Sequence, residues 1–147
     1  MEIFIPTWVD GTLQPVEKLQ THLRALRHKA VSVFMMRGNQ TLLQRRALKK
    51  YHTPGLWANA CCTHPEWNED GQACAIRRLA EELGLPPQIP VYRDTVEYRA
   101  NVGNGMVEHE VVEIFVVQAE AITIRPNPNE VMDYRWETLQ SLAGQIA

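Results

Sequence analysis

Residues 63–85 read THPEWNEDGQACAIRRLAEELGL, and this segment carries the strongest signal for the fold. Apolar side chains at Ile76, Leu79, Ala80 and Leu83 follow one another at spacings of three and four, which is the spacing of one helix face. The charged side chains between them belong to the other side. The segment therefore predicts an amphipathic helix that packs on a core.

Both ends of this helix can also be predicted. Asn68 is the expected N-cap, and the acidic side chains of Glu69 and Asp70 favour the first turn because they suit the helix dipole. Gly84 supplies the left-handed conformation on which helices often end, and the prolines that follow it prevent the helix from restarting.

Hairpin signals lie on either side of the helix in sequence. Val31–Met36 and Thr41–Gln44 are extended segments joined by turn residues. Asp94–Ala100 and Val107–Ala119 are a second such pair, joined by a Gly-rich loop. These elements predict an α/β (α+β) fold with a mixed β-sheet and helices on either side of it. The other predicted elements are strands at Leu56–Cys62 and Glu130–Trp136, a loop at 51–55, and a helix at Glu137–Ile146.

The composition is that of one globular domain covering residues 1–147, with 45% hydrophobic and 22% charged residues. A net charge of −2 gives no reason to expect nucleic acid or a membrane surface as a partner. No apolar run approaches the roughly 18 residues of a spanning helix, and the N-terminus MEIFIPTWVDG has an acid where a secretory leader is basic. We therefore expect a cytoplasmic protein. Cys61 and Cys74 are expected to be small buried hydrophobes, because no CxxC spacing occurs.

The 63–85 segment also resembles the Nudix box, in which a glycine, a glutamate and an REUxEExGU helix recur at fixed intervals. Glu81 and Glu82 match its paired carboxylates, and oxygen ligands of this kind suit Mg²⁺, which commonly bridges diphosphate oxygens. Arg78 stands where a hydrolase has a glutamate. A cation there weakens the case for attack of water on a pyrophosphate and favours holding a diphosphate intact. The other matched positions are Thr63, Glu69, Arg77 and Gly84.

Three segments are similar to the type 1 isopentenyl-diphosphate isomerases. They are LLQRRALKKYHTPGLWANACCTHP at 42–65, EYRANVGNGMVEHEVVEIF at 97–115 and NEVMDYRW at 129–136. The similarity extends over most of the chain, from Lys18 to Trp136. It implies a Nudix-like fold and the isomerisation of isopentenyl diphosphate to dimethylallyl diphosphate in isoprenoid biosynthesis.

The resemblance implies a metal site of imidazoles and carboxylates, which suits Mn²⁺, Zn²⁺ or Mg²⁺. Its two glutamates lie two apart on a predicted strand and so share one face, whereas His109 between them faces away. Its first two histidines are six apart, which would splay them on a helix, so we expect a loop there. The implied ligands are His22, His28, His64, Glu108 and Glu110. His52 matches no ligand of the family.

Isomerisation must protonate an unactivated alkene and remove a proton from a neighbouring carbon, so it needs an acid and a base on opposite sides. The resemblance implies that Cys62 is the base toward the dimethylallyl product, and that Glu110, hydrogen-bonded by Tyr98, is the proton donor. Positive charge nearby would favour the thiolate of Cys62. For the diphosphate, the resemblance implies four cations, Lys18, Arg46, Lys50 and Arg78, together with a bridging Mg²⁺ held by Glu82.

Members of the isomerase family continue past the position at which this chain ends. They carry a Phe/Pro/Trp segment whose tryptophan closes the pocket and stabilises a carbocation through its ring face. The resemblance therefore implies that residues 1–147 lack this C-terminal cap.

Two other functions stay open at this point. One is a Nudix-type hydrolase of a nucleoside or small-molecule diphosphate, and the other is a non-catalytic module that binds a diphosphate or an isoprenoid. The sequence leaves the identity of the metal and the oligomeric state undetermined.

Overall fold

The computed structural model describes residues 2–50, 54–119 and 122–146. The predicted loop at 51–55 is described only in part, and His52 lies outside the described residues. Strands and helices are mixed along the described chain. The strands are β1 Phe4–Val9, β2 Thr12–Glu17, β3 Arg27–Arg37, β4 Gln40–Arg46, β5 Trp57–Asn59, β6 Cys61–Thr63, β7 Val91–Gly103, β8 Met106–Gln118 and β9 Val131–Thr138; the helices are α1 Lys18–Leu23, α2 Gly71–Leu83 and α3 Leu139–Ile146.

Strand β3 organises a mixed sheet. Strand β8 runs parallel to β3 with Ala30 opposite Val112, while β1, β4 and β6 pair with β3 in the antiparallel sense. Strand β8 turns back into the hairpin with β7, and β4 pairs with β5 and β9. The predicted fold class, α/β (α+β) with a mixed sheet, is confirmed.

Helix α2 packs against the central strands, and Leu79 and Leu83 are fully buried as predicted. Ala80 is exposed, however, and the buried face continues through Cys74 and Ala75 instead. The buried face is therefore rotated from the predicted one. The rotation also buries Glu82, which had been expected on the solvent side.

The N-cap of α2 is Asp70 and not Asn68. The Asp70 carboxylate accepts a hydrogen bond from the backbone N–H of Ala73 at 2.7 Å. Asn68 adopts a positive φ of 70°, so the chain is still turning at that residue. Gly84 ends the helix in the left-handed conformation with φ 66°, as predicted.

The prediction of one strand at Leu56–Cys62 is wrong. The segment divides at Ala60 into β5 and β6, because β5 pairs with β4 whereas β6 pairs with β3. The remaining predicted elements are present with shifted ends, and the sequence missed β1, β2 and α1 near the N-terminus. Within the described ranges, no helix is both long enough and apolar enough to cross a membrane.

Candidate active site

Four buried side chains, His22, His28, His64 and Glu110, meet beside the central strands, and their candidate ligand atoms all lie within 4.8 Å of one another. His28 and Glu110 are opposite each other in the parallel pair β3–β8. His64 follows β6 directly, and His22 lies in the last turn of α1. The structure thus brings together four of the five residues implied as metal ligands.

Backbone hydrogen bonds orient two of the rings. Nδ1 of His22 donates to the carbonyl oxygen four residues earlier at 2.7 Å, and Nδ1 of His28 donates to the carbonyl oxygen two residues earlier at 2.7 Å. Each of these hydrogen bonds places the ring lone pair on Nε2, as is usual for histidines that bind metals. Oε1 of Glu110 lies 3.2 Å from Nε2 of His64 and 3.6 Å from Nε2 of His28. Three imidazoles and a carboxylate in this arrangement fit a divalent metal ion.

The charges of these groups are also those of metal ligands. Burial lowers the pKa of His64 well below its usual value, even though Glu110 acts in the opposite direction, so the ring is neutral at pH 7. Burial is the largest influence on Glu110 and would raise its pKa, but the nearby rings of His28 and His64 outweigh it and lower the pKa. Neutral imidazole and ionised carboxylate are the forms that bind a metal.

The predicted loop between His22 and His28 is confined to residues 24–26, because His22 lies at the end of α1 and His28 lies in β3. Glu17 caps a short helix here, because its carboxylate accepts hydrogen bonds from two backbone N–H groups of the first turn at 2.8 and 3.2 Å. Ala25 then turns the chain with a positive φ of 54° before β3 begins. Because a helix changes into a strand between the two histidines, their ring centroids come within 4.8 Å despite the six-residue separation.

Tyr98 connects the two glutamates of β8. Its hydroxyl lies 2.9 Å from Oε2 of Glu108 and 3.1 Å from Oε2 of Glu110. The glutamates therefore share one face as predicted, while His109 faces away and contacts Glu97 at 3.1 Å. Glu108 lies outside the group of four, so its part in metal binding stays a prediction.

Cys62 faces a cavity of about 270 Å³ whose walls are mostly apolar. Glu110 and Tyr98 line the same cavity, so the three residues implied as catalytic share one space. Oγ of Ser32 lies 3.7 Å from Sγ of Cys62, and Nδ2 of Asn59 donates to that Oγ at 3.1 Å. Sequence analysis did not single out Ser32 or Asn59. Ser32 reaches Cys62 through the pairing of β3 with β6, whereas Asn59 lies within the quoted segment at 42–65.

The protein groups around Cys62 raise the pKa of its thiol. The side chain is open to the cavity, yet protein atoms surround the sulfur, and this burial raises its pKa to about 11. The hydrogen bond with Ser32 lowers the pKa, whereas the charges of Glu110 and Glu82 raise it. The expectation that nearby positive charge favours the thiolate stays a prediction, and the lysines and arginines line a different cavity.

That second cavity, of about 220 Å³, collects the predicted diphosphate ligands. Lys18, Lys50 and Arg78 line it. Burial is the largest influence that lowers the pKa of Lys18 to about 8, and the charges of Lys50, Arg78 and Arg46 lower it further. All four implied cations therefore lie in one region, where they repel one another and where an anion would be stabilised. We call this space the cationic cavity.

Glu82, the implied magnesium ligand, is 4% exposed and accepts several hydrogen bonds. Nε2 of Gln44 donates to its Oε1 at 2.9 Å, and Nε of Arg78 donates to its Oε2 at 3.1 Å. Sγ of Cys61 donates to the same Oε2 at 3.4 Å. Gln44 also donates to the carbonyl oxygen of Ala60 at 2.6 Å, which connects Glu82 to the chain just before Cys62.

Sequence reasoning did not single out Gln44 or Glu130 as site residues. Gln44 lies within the quoted segment at 42–65, and Glu130 lies within the one at 129–136. Glu130 lines the cationic cavity and contacts Lys50 and Arg78. Their position inside these segments was the signal that could have found them.

Comparison with known proteins identifies both a family and a fold. The NUDIX domain matches residues 26–147. The chain is 58% identical over 147 residues to a protein of Dinoroseobacter shibae named isopentenyl-diphosphate Delta-isomerase, with 99% of this chain and 84% of that protein covered. It is 62% identical over 148 residues to a protein of the same name from Jannaschia sp., with the same two coverages of 99% and 84%.

Solved structures agree with the fold. The structure is similar to the MutT protein from Methanosarcina mazei Go1, with a TM-score of 0.68, 17% identity, and 80% of this chain and 81% of that one covered. It is also similar to the MutT NUDIX hydrolase from Burkholderia pseudomallei, with a TM-score of 0.65, 22% identity, and coverages of 78% and 85%. At such identities the likeness shows the fold alone.

Proposed function

Since the chain belongs to the NUDIX family and, within it, to the isopentenyl-diphosphate isomerases, we propose that it converts isopentenyl diphosphate to dimethylallyl diphosphate. The observation that carries this proposal is the identity of 58% and 62%, over 99% of the chain, to two proteins of that name. The chain spans 84% of the length of each.

The substrate is a small-molecule diphosphate, and we propose that its two ends occupy the two cavities. The diphosphate would lie in the cationic cavity near Lys18, Lys50 and Arg78, with Arg46 adding charge beside them. The five-carbon chain would extend toward Cys62 in the apolar cavity. Residues 63 and 64, which follow Cys62 directly, line the cationic cavity, so the two spaces adjoin.

The reaction adds one proton to the terminal methylene carbon and removes one from the carbon beside the diphosphate-bearing carbon, so no atom is gained or lost. We propose Cys62 and Glu110 as the two groups that exchange these protons. In the family-based assignment Cys62 is the base and Glu110, in contact with Tyr98, is the donor. Cys62 and Glu110 line the same cavity, so both groups lie beside the five-carbon chain in the proposed binding mode.

We propose that His22, His28, His64 and Glu110, with Glu108 beside them, hold one divalent ion of Mn²⁺, Zn²⁺ or Mg²⁺. A bound ion supplies positive charge that tunes the acidity of the carboxylates around it. We propose Glu82 as the carboxylate that holds the diphosphate-bridging Mg²⁺. Its two oxygens offer more acceptor positions than the contacts with Gln44, Cys61 and Arg78 fill.

Product analysis tests the proposal. The protein is supplied with Mg²⁺ and Mn²⁺, mixed with isopentenyl diphosphate, and followed by proton NMR together with a phosphate assay. We expect dimethylallyl diphosphate to form without phosphate release, and Glu110→Gln to abolish its formation. Phosphate release would support a hydrolase instead. Saturable binding without either product would support a non-catalytic binding module.

We also propose that the protein acts in the cytoplasm on small molecules alone. The support is that all three cysteines, including the solvent-accessible Cys62, are free thiols. A periplasmic or secreted location, measured by cell fractionation, would contradict this part of the proposal.

A further inference from the structure

Glu130 is a carboxylate inside the cationic cavity, and it contacts two of the cations there. Its Oε2 accepts hydrogen bonds from Nζ of Lys50 and from Nη2 of Arg78, the latter at 3.1 Å. The backbone is fixed as well, because the N–H of Ala47 donates to the Glu130 carbonyl at 3.0 Å and the N–H of Glu130 donates to Asn127 at 2.9 Å. The carboxylate is therefore a built part of the cavity wall.

This carboxylate keeps its negative charge at neutral pH. Burial alone would raise the pKa of Glu130, but its hydrogen bond with Lys50 and the charge of Arg78 lower the pKa overall. Glu82 adds a second carboxylate at the same nitrogen of Arg78, with its Oε2 3.1 Å from Nη2. The cations of the cavity are thus already partly neutralised by the protein.

A metal-free diphosphate would meet two obstacles in such a cavity. It would compete with Glu130 for Lys50 and Arg78, and its several negative charges would be repelled by the fixed carboxylate at short range. A diphosphate complexed to a divalent cation carries less net negative charge. The repulsion from Glu130 is then much smaller, while the hydrogen bonds from the cations remain.

We propose that Glu130 makes the cationic cavity selective for metal-complexed over metal-free diphosphates. This inference rests on the proposed function of the cavity as the diphosphate site and adds a specificity-determining residue to it. Glu130 belongs to the binding of the substrate, and no proton transfer is assigned to it.

Calorimetric titration with inorganic pyrophosphate tests the proposal on the intact chain, once in magnesium-free buffer without chelator and once with saturating Mg²⁺. The quantity compared is the selectivity ratio, which is the dissociation constant without Mg²⁺ divided by the dissociation constant with Mg²⁺. Glu130→Gln removes one charge at nearly constant shape, and we expect it to bind metal-free pyrophosphate about tenfold more tightly than the wild type. The ratio should fall by a similar factor.

Glu66→Gln is the matched control. Glu66 lines the same cavity, but its side chain is 52% exposed and its ion pair, at 4.0 Å, is with Arg77. We expect the ratio to change by less than about twofold, since solvent and salt screen that carboxylate. Glu130→Ala, which removes the charge without adding an amide, should shift the ratio in the same direction as Glu130→Gln.

Each outcome is decisive. The selectivity role of Glu130 is overturned if the ratio in Glu130→Gln and Glu130→Ala equals or exceeds that of the wild type. The assignment of the cavity as the diphosphate site would still stand. An equal fall in Glu66→Gln also overturns it, because any nearby carboxylate would then have the same effect. Failure of the wild type to bind pyrophosphate with Mg²⁺ overturns the diphosphate assignment itself, and the selectivity with it.

Discussion

At the scale of single residues, Lys18 is the cation whose charge depends most on its surroundings. Burial and three neighbouring cations lower its pKa to about 8. An anion bound beside it would favour the protonated form. The positive charge of Lys18 is therefore present well below pH 8 and is lost as the pH rises through about 8.

Replacement of Lys18 by arginine tests this charge directly. Arginine stays protonated at every pH of interest, so Lys18→Arg should hold its affinity for Mg²⁺-pyrophosphate between pH 7 and pH 9 better than the wild type does. Because pyrophosphate also ionises in this range, the two proteins are compared at each pH by calorimetry. A ratio of affinities that does not change between pH 7 and pH 9 would show that Lys18 does not titrate there.

The environment of Cys62 shows how far residue types alone can be interpreted. The family resemblance named Cys62, Glu110 and Tyr98, and all three line one cavity. The expected thiolate stays a prediction: the charges of Glu110 and Glu82 raise the pKa of the thiol, while the lysines and arginines line the neighbouring cavity. Charge at a site depends on distances between side chains, and those distances are set by strand pairing far along the chain.

At the scale of elements, α2 was the most predictable part of the chain because its signals are local. Helical spacing and a terminal glycine gave its existence and its end. The observed N-cap, Asp70, lies two residues after the predicted one, Asn68. Both residue types are good caps, and only the backbone angles distinguish them. The observed buried face also differs from the predicted one, because hydrogen bonds from Gln44 and Arg78 hold Glu82 inside.

Loss of the Asp70 cap should lower the stability of the protein. Asp70→Ala removes the acceptor for the N–H of Ala73 and should reduce the free energy of unfolding by about 1 kcal/mol in urea titrations. Asn68→Gly is the control, because glycine suits the positive φ at that position and no helix cap is removed. The cap assignment fails if Asn68→Gly is as destabilising as Asp70→Ala.

The elements before residue 27 were not predicted, and the reason is physical. Helix α1 spans only Lys18–Leu23, which is too short for a periodic pattern, and β2 is largely exposed. Both depend on contacts with β1 and β3 that a linear reading does not reveal. The expected loop between His22 and His28 is present but short, because α1 and β3 occupy the rest of that segment.

At the scale of the whole molecule, the His/Glu cluster joins parts of the chain that lie far apart in sequence. His22 comes from α1, His28 from β3, His64 from the end of β6 and Glu110 from β8. A metal ion held by all four would cross-link the N-terminal segment to the sheet. Binding of such an ion to the folded state alone would stabilise the fold.

Metal should therefore raise the unfolding temperature of protein that has been stripped with a chelator. At an ion concentration of a hundred times the dissociation constant, the stabilisation is about 2.7 kcal/mol. We expect about one equivalent of Mn²⁺ or Zn²⁺ to bind and the thermal shift to vanish in His28→Ala. His109→Ala is the control, because His109 adjoins Glu110 in sequence but faces Glu97. An equal shift in His28→Ala and the wild type would contradict the site.

The fold class and the family follow from the sequence because the box at 63–85 is local and the segments around it are extensive. The order of strands around β3 does not follow, since the parallel pairing of β3 with β8 joins segments some eighty residues apart. That pairing is what places His28 opposite Glu110. The residues of the candidate site could be identified from the sequence, whereas the distances between their side chains depend on how the strands pair in the sheet.

The most direct test of the central claim is proton NMR of isopentenyl diphosphate with the metal-loaded protein in D₂O. Wild type and Cys74→Ala, which alters only a buried cysteine of α2, should both form dimethylallyl diphosphate that carries deuterium. Cys62→Ala should form none, because one of the two proton-exchanging groups is gone. Deuterated product from Cys62→Ala at the wild-type rate, or no conversion by the folded, metal-loaded wild type, would contradict the account.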